Sequence, residues 1–142
     1  MAEILYKYTE KQIRSALADI RWLDENELDL FNLHLSLCGQ KELGGDQWKR
    51  IYADGTVYCL LFENGIPVAR ACVEKYSKEA WEVADVRVVK SHRNKGFAYE
   101  VSLFVLKYIL DNNKNATIRT EEDNYPMQHV ISKLGFTTTA VL

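Results

Sequence analysis

A basic, glycine-containing turn at residues 90–99 has the clearest capacity for chemistry in this sequence. Its basic side chains are Lys90, His92, Arg93 and Lys95. The turn follows an apolar, β-branched stretch at 81–89. After it, apolar residues recur at helical spacing. The pattern therefore predicts a strand that passes into a helix through this turn.

A turn of this kind is suited to binding an anion. The first N–H groups of a helix have no acceptor within the helix, and the helix dipole places partial positive charge there. Gly96 can adopt a positive φ and lets an oxygen approach where a Cβ would block it. Each amide bond to a charged phosphate oxygen contributes roughly 1.5 to 3 kcal/mol, so a few could hold a pyrophosphate. The alternative is a solvated connection.

The spacing Arg93-x-x-Gly96-x-Ala98 resembles the acetyl-CoA signature of the GNAT superfamily of N-acetyltransferases. In that signature Arg or Gln is followed by two residues, Gly, one residue, and then Gly or Ala. A second landmark is similar: Asn124 opens a predicted helix that closes with Gly135-Phe136. The two landmarks occur in the family's order, and the resemblance is specific from about residue 81 to residue 136.

The resemblance implies a site for acetyl-CoA, the acyl donor. The main chain of Val86, Arg87 and Val88 would pair with the pantetheine amides as an added strand would. The N–H of Val88 would polarise the thioester carbonyl. Asn124 would contact the pantetheine arm, which is compatible with a role as helix N-cap. The pyrophosphate would be held by Arg93, Asn94, Lys95, Gly96, Phe97, Ala98 and Tyr99.

The implied reaction is transfer of an acetyl group to a primary amine by direct attack. At pH 7, freeing an alkylamine of its proton costs on the order of 4 to 5 kcal/mol, whereas a thiol leaves as thiolate at about 2 kcal/mol. A general base is therefore the larger requirement. Glu82 lies six residues before Val88, which matches the position of the glutamate base in the histone-modifying branch of the family. Asp85 is the second candidate. Strand alternation places the two on opposite faces unless a bulge intervenes, and either could be a solvated acid.

Two features depart from the family. Many members carry a Tyr four residues before the Gly of Gly-Phe to protonate the leaving sulfur, and here that position is Ile131. The general acid is thus unassigned, and a module that binds acyl-CoA without catalysis is the alternative function. Only one strand fits after Gly135-Phe136, where the family usually has two. Either the sheet ends in an exposed edge or a partner chain covers it, which predicts a homodimer.

The fold predicted for residues 1–142 is a single GNAT-like α/β (α+β) domain, with a mixed, mostly antiparallel central sheet flanked by helices. A short strand is expected at 4–9, followed by a helix that Thr9 caps and that runs to Ile20. Another helix is expected at 25–35. Asn64-Gly65 is a strong hairpin signal between two β-rich stretches. The strand at 81–89 completes a three-stranded meander with these two stretches and leads into the basic turn. A helix, a strand, a helix and a final strand are expected after it.

The composition is that of an ordinary soluble domain, with 47% hydrophobic and 27% charged residues and a net charge of −2. This balance disfavours a nucleic-acid-binding domain built on the same turn, and we expect no nucleic acid or membrane partner. No secretory signal or membrane-spanning run is evident, so the cytoplasm is the expected compartment. The three cysteines lack CxxC spacing, which favours buried reduced thiols and no metal site. The acceptor is expected to be a small-molecule or protein amine.

Overall fold

Seven strands form one mixed sheet in the computed structural model, which describes residues 2–142. The strands are β1 (Glu3–Tyr8), β2 (Asp19–Trp22), β3 (Thr56–Glu63), β4 (Ile66–Glu74), β5 (Ala80–Val88), β6 (Asn115–Glu121) and β7 (Thr137–Val141). The helices are α1 (Leu28–Leu37), α2 (Gly45–Ala53), α3 (Phe97–Asp111) and α4 (Tyr125–Leu134).

The strand order is β2-β3-β4-β5-β6-β1-β7, and the β5–β6 pair is parallel while the other pairs are antiparallel. Helix α3 packs on β3, β4, β5 and β6 and helix α4 on β6, whereas α1 packs on β4 and α2 on β3. Each set of helices shares its own hydrophobic cluster with the sheet. The predicted mixed, mostly antiparallel sheet with flanking helices is confirmed.

The Asn64-Gly65 hairpin is present between β3 and β4. Asn64 has φ 52° and Gly65 has φ 78°, the positive values that a type I′ turn requires at both central positions. The pairing runs from Glu63 opposite Ile66 back to Thr56 opposite Glu74. Local turn chemistry therefore sets the pairing next to the turn, and a bulge between Leu61 and Phe62 shifts the register by one residue farther along the strands.

The prediction of a helix from Thr9 to Ile20 is wrong. Residues 9–18 form an irregular connection, and Ile20 lies in strand β2, where it pairs with Leu61 of β3. The connection is held by the carboxylate of Glu100, which accepts hydrogen bonds from the N–H groups of Leu17 at 2.7 Å and Ala18 at 3.3 Å. Tertiary contacts thus override a weak local helical pattern.

Sequence reasoning missed helix α2 because Gly44-Gly45 suggested only the end of the preceding helix. Gln47 accepts a hydrogen bond from the N–H of Gly44 at 2.9 Å and so caps the start of α2. Trp48 is buried, and its Nε1 donates to the carbonyl of Glu25 at 2.9 Å. Helix α1 was predicted, but it begins at Leu28, later than expected.

The first strand of the chain lies beside the last one. Strand β1 lies between β6 and β7 and is antiparallel to both. Its last residue, Tyr8, packs edge-on against Phe136 with ring centroids 5.4 Å apart. The expected single strand after Gly135-Phe136 is β7, which forms one edge of the sheet. Its neighbour within the sheet is therefore β1.

No helix within residues 2–142 combines the length and the apolarity that a bilayer crossing needs. Of the cysteines, Cys59 and Cys72 are buried thiols and Cys38 is partly exposed.

We predict that stability depends on pH through His34, which is fully buried and whose Nδ1 lies 2.9 Å from the carbonyl of Pro67. Burial lowers the pKa of His34 to about 4. Below about pH 6.5 the unfolded chain binds a proton that the folded chain does not. The contribution of His34 to the free energy of unfolding should therefore fall by about 3 kcal/mol between pH 6.5 and pH 4 and stay constant below that. Urea unfolding at several pH values measures this change.

The control for the pH prediction is His34→Asn, which can still donate a hydrogen bond to Pro67 but does not titrate. An unchanged pH dependence in that variant would contradict the assignment.

A homodimer remains a prediction, with the exposed edge of β7 as the contact. Light scattering should then give twice the chain mass at high concentration, and Val141→Lys on that edge should shift the mass toward one chain. A mass of one chain throughout a concentration series would count against the dimer.

Candidate active site

A β-bulge interrupts the pairing of β5 with β4. Two residues of β5, Asp85 and Val86, stand opposite the single residue Ala71 of β4. Asp85 has φ 49°, a backbone conformation that non-glycine residues seldom adopt. The extra residue places Asp85 beside Glu82 in one cleft. The bulge that the sequence analysis named as a condition is present, so both predicted carboxylates face the same space.

Strands β5 and β6 separate after Val83, just before the bulge. Their parallel pairing runs from Ala80 opposite Asn115 to Val83 opposite Ile118, yet β5 continues to Val88. In the described part of the chain, no strand pairs with this edge of β5 after Val83. The sheet thus has an opening lined by unpaired main-chain groups.

The N–H of Val88 points into this opening. The N–H of Val89 donates to the carbonyl of Val68 on β4 at 2.9 Å. Since successive residues of an antiparallel strand direct their main-chain groups to opposite sides, those of Val88 point away from β4. The side chain of Arg93 donates through Nε to the Val88 carbonyl at 3.3 Å, which ties the basic turn to the open strand edge.

The basic turn presents a row of free amides. A 3₁₀ turn at Lys90–His92 leads into a loop in which Asn94 has φ 63° and Gly96 has φ 82°. Within residues 2–142 no acceptor is found for the six N–H groups from Asn94 to Tyr99, and the first helical bond is from Glu100 N–H to the Gly96 carbonyl at 3.0 Å. Amides in this arrangement at the start of a 15-residue helix form a nest of free donors, a geometry suited to an anion.

Gly96 is required by its backbone conformation rather than by crowding. A Cβ added there would have no other heavy atom within 4 Å, apart from its chain neighbours. The positive φ is the constraint, because side chains other than Gly adopt it at a cost.

Positive side chains surround the turn. Arg14 Cζ lies 5.4 Å from the centre of the Tyr99 ring, and Lys133 Nζ lies 4.6 Å from it. Arg14 also forms an ion pair with Glu100 at 2.9 Å. Arg14 lies in the connection at residues 9–18, where the predicted helix is absent, and no sequence signal places it beside this turn.

A cleft of about 540 Å³ lies beside the bulge. Four carboxylates and one guanidinium line it, those of Glu3, Glu74, Glu82, Asp85 and Arg119. Tyr76 also lines it, and its hydroxyl lies 3.0 Å from Thr117 Oγ1. Sequence reasoning missed Glu74, which the pairing of β4 with β5 places opposite Glu82.

Glu82 is buried and already bound. Its side chain is only 7% exposed. Arg119 Nε donates to both of its oxygens, at 3.2 and 3.0 Å, and Thr117 donates to Oε1 at 3.1 Å.

Asp85 is also paired on both oxygens. Oδ2 accepts from the Tyr58 hydroxyl at 2.6 Å and from Arg70 Nε at 3.1 Å. Oδ1 accepts from Nη2 of Arg70 at 3.1 Å. Burial, followed by the proximity of Cys72 and Asp85, raises the pKa of Tyr58, which keeps its proton for this bond.

The remaining predicted positions have local structural roles. Asn124 is the N-cap of α4, and its Oδ1 accepts from the N–H of Met127 at 3.2 Å. Ile131, at the position of the family's Tyr, is fully buried in the core against α3 and β6. It therefore provides packing and no acid.

Comparison with known proteins agrees with this geometry. The acetyltransferase (GNAT) family model matches residues 15–136. No curated protein sequence matches the chain.

Solved structures share the fold at low sequence identity. A putative GNAT acetyltransferase from Novosphingobium aromaticivorans has a TM-score of 0.77 at 15% identity, covering 99% of this chain and 60% of that one. A GNAT acetyltransferase from Colwellia psychrerythraea has a TM-score of 0.77 at 18% identity, covering 97% and 53%. The chain thus spans little more than half the length of these two. The aminoglycoside acetyltransferase AAC(6')-Iy, in complex with the bisubstrate analogue CoA-S-monomethyl-acetylneamine, has a TM-score of 0.71 at 21% identity. The match covers 87% of this chain and 94% of that one.

The family match covers most of the chain, from the connection before β2 to Phe136, the residue before β7. It includes the bulge, the opened sheet and the amide nest. The chain therefore belongs to the GNAT acetyltransferase family.

Proposed function

We propose that the protein transfers an acetyl group from acetyl-CoA to a primary amine by direct attack. The observation that carries the proposal is the continuity of two features, the open edge of β5 at Val86–Val88 and the free amides from Asn94 to Tyr99. Arg93 joins them through its bond to Val88. An extended amide-containing arm that ends in a pyrophosphate fits this pair of features.

The chain's own groups have distinct parts in the proposal. The main chain of Val86 and Val88 would bind the pantetheine amides, and the N–H of Val88 would stabilise charge on the thioester oxygen. Arg87, also expected from the sequence to bind there, directs its main-chain groups toward Arg70 of β4 instead. The amide nest would hold the pyrophosphate. The cofactor supplies the acetyl group as a thioester. The carboxylates of the cleft would receive the amine and its proton, with Glu82 and Asp85 as the candidates from sequence.

A CoA-binding module without catalysis is the second candidate function. It is favoured by Ile131, which is buried where many family members have Tyr. It is weakened by the acidic cleft beside the opening, because a pure cofactor-binding module has no need of one. A neighbour that holds a bisubstrate analogue joining CoA to an amine-bearing compound supports the transferase reading.

We predict that Gly96→Ala weakens CoA binding about tenfold. The positive φ costs a residue with a Cβ roughly 1 to 2 kcal/mol, and the loop relieves that strain by turning amides away from the nest. Isothermal titration calorimetry with CoA measures the loss. Gly55→Ala is the matched control, because Gly55 also has a positive φ, 85°, but lies just before β3 and away from the basic turn. This substitution should lower stability without changing the affinity for CoA. Equal affinity in the wild type and Gly96→Ala would contradict the proposed nest.

We also predict release of CoA thiol when the protein is mixed with acetyl-CoA and a panel of cationic primary amines. The rate should rise with pH as more amine loses its proton. A thiol-reactive dye follows the release, and mixtures without amine give the background hydrolysis. CoA binding without thiol release above that background would favour the non-catalytic module.

A further inference from the structure

We propose that Arg14 and Lys133 bind the 3′-phosphate of coenzyme A and so let the protein distinguish this cofactor from its 3′-dephospho form. The inference rests on the proposed function. It extends that function to a part of the cofactor that neither the amide nest nor the open edge of β5 would bind.

Tyr99 connects the two cations to the nest. Its N–H is the last of the free amides that begin at Asn94. Arg14 Cζ lies 5.4 Å from the centre of the Tyr99 ring, and Lys133 Nζ lies 4.6 Å from it. By covalent geometry each cation is therefore within about 10 Å of the Tyr99 N–H. A single ribose separates the 3′-phosphate of coenzyme A from its pyrophosphate, so a pyrophosphate in the nest brings the 3′-phosphate into this range.

Arg14 has donors left for an anion. Its side chain is 46% exposed. Nη2 donates to Glu100 at 2.9 Å, and Nη1 donates to the carbonyl of Ser15 at 2.9 Å. A guanidinium has more N–H groups than these two bonds use, and its planar fork of donors matches the oxygens of a phosphate. A phosphate can therefore bind Arg14 without displacing Glu100.

Lys133 is a cation without a paired carboxylate. It lies on α4, is exposed, and forms no ion pair with any of residues 2–142. Glu100 pairs with Arg14 alone, so positive charge is in excess around the Tyr99 ring. The two like charges repel each other, and a phosphate monoester, with a charge of about −1.5 to −2 at pH 7, would offset both.

The connection between β1 and β2 brings Arg14 to this place. Arg14 lies just before residue 15, where the match to the family model begins. Glu100 fixes the connection against the first turn of α3 by accepting from the N–H groups of Leu17 and Ala18, at 2.7 and 3.3 Å. These main-chain bonds do not involve the guanidinium, so removing it leaves the connection anchored. Residues 9–18 thus have a function beyond joining two strands.

The test is isothermal titration calorimetry of CoA and of 3′-dephospho-CoA with the wild type, Arg14→Gln and Lys133→Gln. The wild type should bind CoA about 30-fold more tightly than dephospho-CoA, because only CoA offers the second phosphate. Arg14→Gln should lose about tenfold and Lys133→Gln about threefold in affinity for CoA, with less than about twofold lost for dephospho-CoA. Thermal unfolding checks that each variant is folded.

Kinetics give a second readout. With acetyl-CoA and an amine that is acetylated, both variants should raise the KM for acetyl-CoA and leave kcat unchanged, because the 3′-phosphate is remote from the bond that reacts. Arg14→Lys keeps the charge and should retain part of the preference for CoA.

Arg21→Gln is the matched control. Arg21 also pairs with a glutamate, Glu27, at 2.8 Å, and its Cζ lies 5.5 Å from the centre of an aromatic ring, that of Phe62. It lies on β2, however, at an edge of the sheet. This variant should bind both ligands as the wild type does.

Two results would overturn the inference while CoA binding leaves the proposed function standing. One is equal affinity of the wild type for CoA and dephospho-CoA. The other is an equal loss of affinity for both ligands in Arg14→Gln and Lys133→Gln, which would make the two residues structural supports. A wild type that binds neither ligand would overturn the proposed function and the inference together.

Discussion

The separation of β5 from β6 is the constraint on which the site depends. A sheet normally satisfies its main-chain N–H and C=O groups by pairing each strand with its neighbours, and an unpaired interior edge leaves those groups to water or a ligand. Here the parallel pairing stops at Val83, and the bulge at Asp85 lies immediately after. The end of the β5–β6 pairing exposes the edge of β5, and the bulge in the β4–β5 pairing turns Asp85 into the cleft. Two neighbouring changes in the geometry of β5 thus serve the two sides of the proposed reaction.

The opening is supported from elements distant in sequence. Arg93 ties the basic turn to the open edge through Val88, and Glu100 fixes the β1–β2 connection against the first turn of α3. Strand β1 completes the sheet on the far side of β6. Helix α3, whose interior positions are fully buried, holds the amide nest at its N-terminus in place. Loops rarely keep such precision without a rigid element behind them.

Much of this arrangement could be predicted from short-range signals. The Asn64-Gly65 turn fixed one hairpin, and the basic turn before a helical pattern located the nest, because both depend on backbone conformations that few residues adopt. The errors arose where distant contacts decide. Residues 9–18 stay irregular because Glu100 holds them, and β1 inserts between β6 and β7, which lie far from it in sequence.

The measurement that tests the central claim most directly is amide NMR of the uniformly ¹⁵N-labelled protein during titration with CoA. The account predicts that the largest shifts fall on two groups of amides, those from Asn94 to Tyr99 and that of Val88, and that these amides become protected from exchange with solvent. Saturable shifts confined to other parts of the chain, or no shifts at millimolar CoA, would contradict it.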